Sequence, residues 1–279
     1  MTFNFEIKKI VLPDTIEVIP DTLELVNTFK RSGSTPTGEK IITHRVYKDK
    51  EGREYIEIFT EPKMQIFVSN LLRDFGATPV MSYKDENGKI IYLSLFPKER
   101  DFTVETAGEI VGWANLMLIN LLFLDSDHSL EVGFNFLKAQ DHNVNIFLGN
   151  VMLYDFGEAF GFEKHTFIGN LKKEITSEIE HHKDAIKSFF DTFSKKGEEK
   201  FNSYYLNVII HLRANLEKLK KQISMEGVEG IKKFLKLSKA KNIQTVFPFL
   251  PKDYSVEDFY EDLIFKIDLI DKLLAAELI

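Results

Sequence analysis

Between Asp141 and Gly157 the chain reads D-H-N-V-N-I-F-L-G-N-V-M-L-Y-D-F-G. Asn145 follows Asp141 by four positions, and ten residues further on Asp155 closes an apolar run and precedes Phe156-Gly157. Val144 to Leu148 and Val151 to Tyr154 flank Gly149-Asn150, the pattern of two brief strands joined by a turn. Carboxylate and amide oxygens are the hard donors magnesium prefers. Asp155 and Asn145 are therefore candidate metal ligands, and Asp141 is a candidate to orient or deprotonate a hydroxyl. Phosphoryl transfer calls for that combination, because the protein contributes positioning and electrostatics there rather than covalent chemistry.

Upstream of this stretch the chain reads as strands. Lys40 to Tyr47 is rich in β-branched and aromatic residues, Lys48 to Gly52 is polar turn chemistry, and Arg53 to Phe59 alternates apolar and polar, which predicts a hairpin. A second hairpin is predicted from Pro79–Tyr83, the turn Asp85-Glu86-Asn87-Gly88 and Lys89–Phe96. Between them, Met64, Phe67, Val68, Leu71 and Leu72 recur at helical spacing over Pro62–Phe75, with Gly76 as a stop. Strand, strand, helix, strand, strand suits a small sheet carrying one helix.

Downstream the pattern is helical. Gly112–Leu124 is the most apolar segment, and its thirteen residues fall short of the ~20 needed to span a bilayer, so it reads as a buried core helix. Ile175, Ile179, Ile186, Phe190 and Phe193 form one stripe. Tyr205–Ile223 and Val228–Leu237 give further helices, and Val246–Pro251 breaks the pattern. Ser255-Val256-Glu257-Asp258 then reads as a helix start, continued by Phe259, Leu263, Ile267, Ile270 and Leu274. The change of character near Phe96–Arg100 divides the chain into a β-rich part, 1–97, and a helical part, 98–279.

Composition narrows the class. A formal net charge of −7 does not give the basic footprint of a general nucleic-acid binder. With no cysteine in 279 residues, disulfides, thiolate zinc sites and cysteine nucleophiles are excluded. The first ten residues lack a signal-peptide pattern, and a cytoplasmic location is expected. The 25 phenylalanines are expected to form an aromatic core.

A β-rich part, a short joint and a helical part carrying Asp…Asn…Asp-Phe-Gly resemble the protein-kinase-like fold, an α+β arrangement of two lobes. The closer resemblance is to the HipA-type kinases and the phosphatidylinositol 3/4-kinases, on Phe134–Asn145 as helix and catalytic loop. Ser32-Gly33-Ser34-Thr35-Pro36-Thr37-Gly38 is similar to the Ser-Gly-x-x-Pro loop of HipA-like proteins. The resemblance covers roughly residues 30–160. It implies an ATP- and magnesium-dependent phosphotransferase acting on a protein hydroxyl. Asp141 would be the catalytic carboxylate, and Asn145 and Asp155 the Mg2+ ligands. Ser32, Gly33 and Ser34 would meet phosphates through backbone N–H groups, and Phe96 and Lys98 would lie near the adenine.

Three departures admit a second expectation, a pseudokinase or partner-binding module. The Asp141–Asn145 spacing is four where these families usually show five. The strand Tyr55–Phe59 offers Glu57 where the phosphate-binding lysine belongs, and the helix offers Gln65 where that lysine's glutamate partner belongs. Lys40, Arg45 and Lys63 are open as substitutes. Elsewhere, Glu178-Ile179-Glu180-His181 spells a di-metal helical motif that lacks a second copy, and it is read with His182 as a solvated face. Asp125-Ser126-Asp127-His128 is read as helix-terminating turn chemistry.

Overall fold

Alternating apolar and polar residues before residue 96 build one sheet. The computed structural model describes residues 17–18, 23–35, 38–58, 62–77, 80–84, 88–95, 110–123, 144–147, 150–153, 171–194 and 198–278; along 31–42 and 144–153 it is the backbone that is described. Strands β1 (Glu17–Val18), β2 (Glu24–Thr35), β3 (Gly38–Lys48), β4 (Glu54–Glu57), β5 (Val80–Lys84) and β6 (Ile90–Leu95) lie in the order β1-β5-β6-β4-β3-β2. All neighbours are antiparallel except the short β1, which runs parallel to β5. Both predicted hairpins are present. Asp49 organises the turn of the first. Its Oδ1 accepts from the backbone N–H groups of Glu51 and Arg53, both at 2.9 Å, and its Oδ2 accepts from Arg53 Nε at 2.6 Å and from the Tyr55 hydroxyl at 3.0 Å. Gly52 takes φ +83°, which an L side chain rarely adopts. Burial pushes the Asp49 carboxyl up, but these hydrogen bonds outweigh it and hold the group below its ordinary value.

The stretch Ser32–Gly38, expected as a loop, is mostly strand. β2 runs to Thr35 and β3 resumes at Gly38, directly paired with it. Serine and glycine are poor strand formers, but pairing along the whole length of β3 overrides that preference. β3 is joined to β4 only through Val46, Tyr47 and Lys48. Residues 29–35 and 38–44 therefore extend past β4 as a two-stranded ribbon.

Helix α1 (Pro62–Leu71) starts on proline, whose missing N–H costs nothing there. It passes into a 3-10 turn, Arg73–Phe75, and stops at Gly76 with φ +91°, as expected. Every residue from Met64 to Leu71 is buried. Ile66 meets Ile58 and Val80 of the sheet. Phe67 meets Phe234, Phe247 and Phe259 edge-on, with ring centroids 5.9, 5.3 and 5.6 Å away. The polar residues of α1 turn to their own backbone and neighbours: Ser69 Oγ and Asn70 Nδ2 donate to the Ile66 carbonyl at 3.1 and 2.7 Å, and Arg73 Nη2 donates to Asn70 Oδ1 at 2.7 Å.

The helical part comprises α2 (Ile110–Phe123), α3 (Leu171–Ser194), α4 (Glu198–Leu237) and α5 (Val256–Ala276). As its all-round apolar sequence predicts, α2 is buried, and Asn115 accepts from Asn215 Nδ2 at 2.8 Å. The two helices expected over 205–223 and 228–237 belong to one element with a kink at Gly227 (φ 58°, ψ −153°). α5 opens on the predicted capping box: Ser255 Oγ accepts from Asp258 N at 3.0 Å, and Asp258 Oδ2 accepts from Ser255 N at 2.7 Å. Phe259, Leu263, Ile267, Ile270 and Leu274 form its buried stripe. The break at 246–251 is packed as well, since Phe247 stacks on Phe259 at 5.3 Å. The fold is thus α+β, a small antiparallel sheet followed by a mainly helical remainder. The expected division at 97/98 falls outside the described residues. Among the described residues no helix is long and apolar enough to cross a membrane.

Two substitutions test this packing by urea denaturation. Phe67→Ala empties the centre of the aromatic cluster and is expected to cost about 3–5 kcal/mol. Ser255→Ala removes one half of the capping box and is expected to cost about 1 kcal/mol.

Candidate functional site

Strands β7 (Val144–Phe147) and β8 (Asn150–Leu153) form an antiparallel ribbon with the pairs Val144↔Leu153, Asn145↔Met152, Ile146↔Val151 and Phe147↔Asn150. The two short runs read from sequence are therefore strands that pair with each other. Asn145 lies one pair from the ribbon's open end. β8 also lies against α2, so the ribbon is carried by a helix of the main core. Asp141, Asp155, Phe96 and Lys98 lie outside the described residues. Ser32, Gly33 and Ser34 sit in β2 opposite Ile41, Lys40 and Glu39. No group of three His, Asp or Glu side chains that could hold a metal occurs among the described residues.

The sheet has two distinct faces, and they separate Glu57 from Gln65, the residues read at the two positions of a lysine–glutamate pair. Val46, Ile56, Ser94 and Val80 form one cross-strand row. Directly opposed residues share a face. Ile66 of α1 packs with Val80 and Ile58, so this is the face α1 covers. The other face carries the cluster Tyr55, Tyr83, Ile91 and Leu93, with Leu23 and Tyr47 packed against it. Glu57 is paired with Leu93 and belongs to this second face. Glu57 therefore cannot be the strand partner of Gln65, which is buried in α1 over the first face.

The position at the end of β4 that looks toward α1 is Ile58. Its N–H donates to Tyr92 O at 2.9 Å, and its side chain is in apolar contact with Ile66. Where a lysine–glutamate pair was expected to be replaced by Glu57 and Gln65, the strand–helix contact is apolar. The signal was the period of two: Ile56 and Ile58 continue the face of Val46, and Glu57 does not.

Glu57 has a different partner. Arg45, opposite it by continuation of the β3–β4 register, donates from Nη1 to Glu57 Oε2 at 3.3 Å. The Glu57 side chain is 3% exposed and that of Arg45 45%, so a buried carboxylate is neutralised from the rim of the sheet. On the first face, the rings of Phe29 and His44 stack with centroids 5.2 Å apart.

The helical part holds two ionisable groups that patterning did not flag. His182, expected at the surface beside His181, is fully buried, and its Nε2 lies 3.0 Å from Asn120 Oδ1, to which it donates. Its position was legible after all: 182 is seven residues from Ile175, three from Ile179 and four from Ile186, on the buried stripe. Desolvation lowers its pKa to about 3, with His181 adding to the effect. Lys266 in α5 is also fully buried. Desolvation brings it down to about 7 against the opposing attraction of Glu174. Glu178 is pushed up by burial while His181 is exposed, so the Glu-x-x-His stretch is divided between environments. The acidic residues around Asp258 and Asp262 are engaged locally, Asp258 in the capping box and Asp262 as acceptor for the Tyr254 hydroxyl.

No protein-family model and no curated protein sequence matches the chain.

The buried bases set the pH dependence of stability. Between the folded value of Lys266, about 7, and the ordinary lysine value of ~10.4, the unfolded chain binds the extra proton, so stability rises with pH across that window. For His182 the corresponding rise lies between about 3 and ~6.5. Urea titrations at a series of pH values should show both rises, and Lys266→Met should flatten the alkaline one while leaving the acidic one intact.

Proposed function

We propose that the chain is a kinase-like phosphotransferase that moves the ATP γ-phosphoryl group to a hydroxyl, with a protein as acceptor and magnesium as the metal. One observation carries the reading: the antiparallel β7–β8 ribbon separating Asn145 from Asp155. Val144 and Leu153 pair at the open end of the ribbon, and in sequence Asp141 precedes β7 by three residues and Asp155 follows β8 by two. The donor set also fits the metal, since amide and carboxylate oxygens are what magnesium takes.

In this reading Asn145 and Asp155 hold the metal, which when bound offsets phosphate charge. Asp141 accepts or orients the proton of the acceptor hydroxyl. Ser32, Gly33 and Ser34 would meet phosphate only through the β2 N–H groups that antiparallel pairing with β3 leaves free, and Phe96 and Lys98 would border the base.

A second reading, a pseudokinase, has its own observation. The strand–helix contact at Ile58 and Ile66 is apolar, so the charge that commonly restrains a triphosphate is missing at that place.

Thermal denaturation with Mg-ATP separates the readings. Binding to the folded state is expected to raise stability by about 2.7 kcal/mol at a hundred times Kd. Asp155→Ala should abolish the shift. Asp141→Ala should keep it and lose transfer of labelled phosphate to protein. A shift without transfer in the wild-type chain favours the pseudokinase, and no shift at millimolar Mg-ATP removes nucleotide binding.

A further inference from the structure

The C-terminal end of α4 and the first turns of α5 carry opposite charge. Residues 232–241 include five lysines and no acid, in a chain of net charge −7. Residues 252–262 include five acids and one lysine. Lys232, Lys233, Lys236 and Lys239 recur at three- and four-residue spacing at the end of α4, and all four are exposed. On α5, Asp258, Glu261, Asp262 and Phe265 recur at the same spacing, and Phe265 is 61% exposed. The two patches adjoin, because Lys232 Nζ lies 3.7 Å from Glu257 Oε1 and 2.8 Å from Glu229 Oε1.

That contact uses little of the charge. Among the described residues, Lys233, Lys236, Lys239, Lys241, Asp253 and Glu261 form no ion pair. The helix dipole accounts for Lys236, in the last turn of α4. It does not account for Lys239 and Lys241, which lie past the helix end. Lys239 is the single non-glycine residue with positive φ among the described residues, at 55°. It closes the helix: Lys239 N donates to Lys236 O at 3.1 Å, and Ala240 N donates to Leu235 O at 2.9 Å. Glycine suits that backbone better, so a lysine there works against the local conformation. On the acidic side, Pro251, Asp253, Tyr254, Asp258, Glu261 and Asp262 line a surface cavity of about 320 Å³, room enough for a lysine side chain.

Two adjoining patches of opposite sign make a self-complementary surface. A two-fold axis between them sets the lysines of one copy against the acids of the other, and does so twice. Phe265 supplies an apolar anchor among polar neighbours, the arrangement that concentrates binding energy in protein interfaces. We propose that the end of α4 and the first turns of α5 dock a second copy of this chain as a two-fold dimer. The lysines of 233–241 in each copy lie against the acids of 253–262 in the other. The dimer does not depend on nucleotide binding and stands or falls separately from it.

Sedimentation velocity of the full chain over a concentration series tests the contact. A dimer is expected that dissociates as salt rises from about 0.1 to about 1 M, where the screening length falls from about 10 to about 3 Å. Lys233→Glu with Lys236→Glu should weaken it at least about tenfold, as should Asp253→Lys with Glu261→Lys. Mixed one to one, these two variants should pair with each other, because each supplies the sign the other lacks. Phe265→Ser should also weaken the dimer about tenfold. In dilute, monomeric protein Lys239→Gly should raise the melting temperature, yet at higher concentration it should weaken the dimer, a combination that a purely structural lysine would not give. Unchanged far-ultraviolet circular dichroism establishes that each variant is folded. The proposal is overturned by a wild-type chain that stays monomeric up to about 100 μM. It is equally overturned by charge-reversed variants that dimerise like the wild type, or by a mixture of the two that fails to pair.

Discussion

Helix α1 is the element on which the other packing depends, because it has no face left for water. Ten residues long, it is buried from Met64 to Leu71, with Ile66 toward the sheet and Phe67 toward three aromatic rings of the helical part. A helix in this position fixes the sheet's distance and orientation relative to α4 and α5. It also dictates how its polar residues behave. Ser69 and Asn70 return hydrogen bonds to the Ile66 carbonyl, since leaving buried polar groups unmade costs about 1–3 kcal/mol each. Close-packed interiors are bistable rather than compliant. A swing of α1 away from the sheet would therefore have to withdraw Phe67 from its cluster, a loss comparable to a core truncation. The geometry favours a helix that stays docked.

The sheet sorts its chemistry by face under that constraint. The α1 side is apolar at β4, through Ile56 and Ile58. The opposite side carries tyrosines and the ion pairs, with Arg45 on Glu57 and Arg53 on Asp49. The Arg45–Glu57 pair contributes less to net stability than its burial suggests. Its arginine is nearly half exposed, so solvent screens the attraction, while the buried carboxylate carries the desolvation cost. Removing Arg45 alone is the damaging change, because it strands Glu57 without its neutralising partner.

Much of the fold was legible in the sequence where local signals agree with one another. The hairpin turns at Asp49–Gly52 and Gly88, the stop at Gly76, the capping box at Ser255 and the buried stripe of α5 all have a residue type that does the work by itself. What escaped were features set by partners distant in sequence. Ser32–Gly38 became strand because β3 pairs with it, whatever its serines and glycines prefer. The buried stripe of α3 includes His182, but its partner, Asn120 of α2, is sixty-two residues away and had no local signal. For the candidate site, sequence gave the residue types around the β7–β8 ribbon. It did not show that Glu57 lies on the face away from α1, since composition marks a charged residue readily and only register tells which side of a sheet it occupies.

The combination of Ile58 with the acid and amide residues around β7–β8 is a physical problem with a limited set of solutions. Preorganised charge is the largest lever a phosphotransferase has, and it works only if the dipoles and ions already point at the place where charge develops. At the strand–helix contact of Ile58 and Ile66 no charge is available for that purpose. The β2–β3 ribbon extends past β4 and is held there by two-stranded pairing, whereas α1 is held by a packed core, so the two differ in rigidity. Isolated two-stranded ribbons are marginal on their own in water.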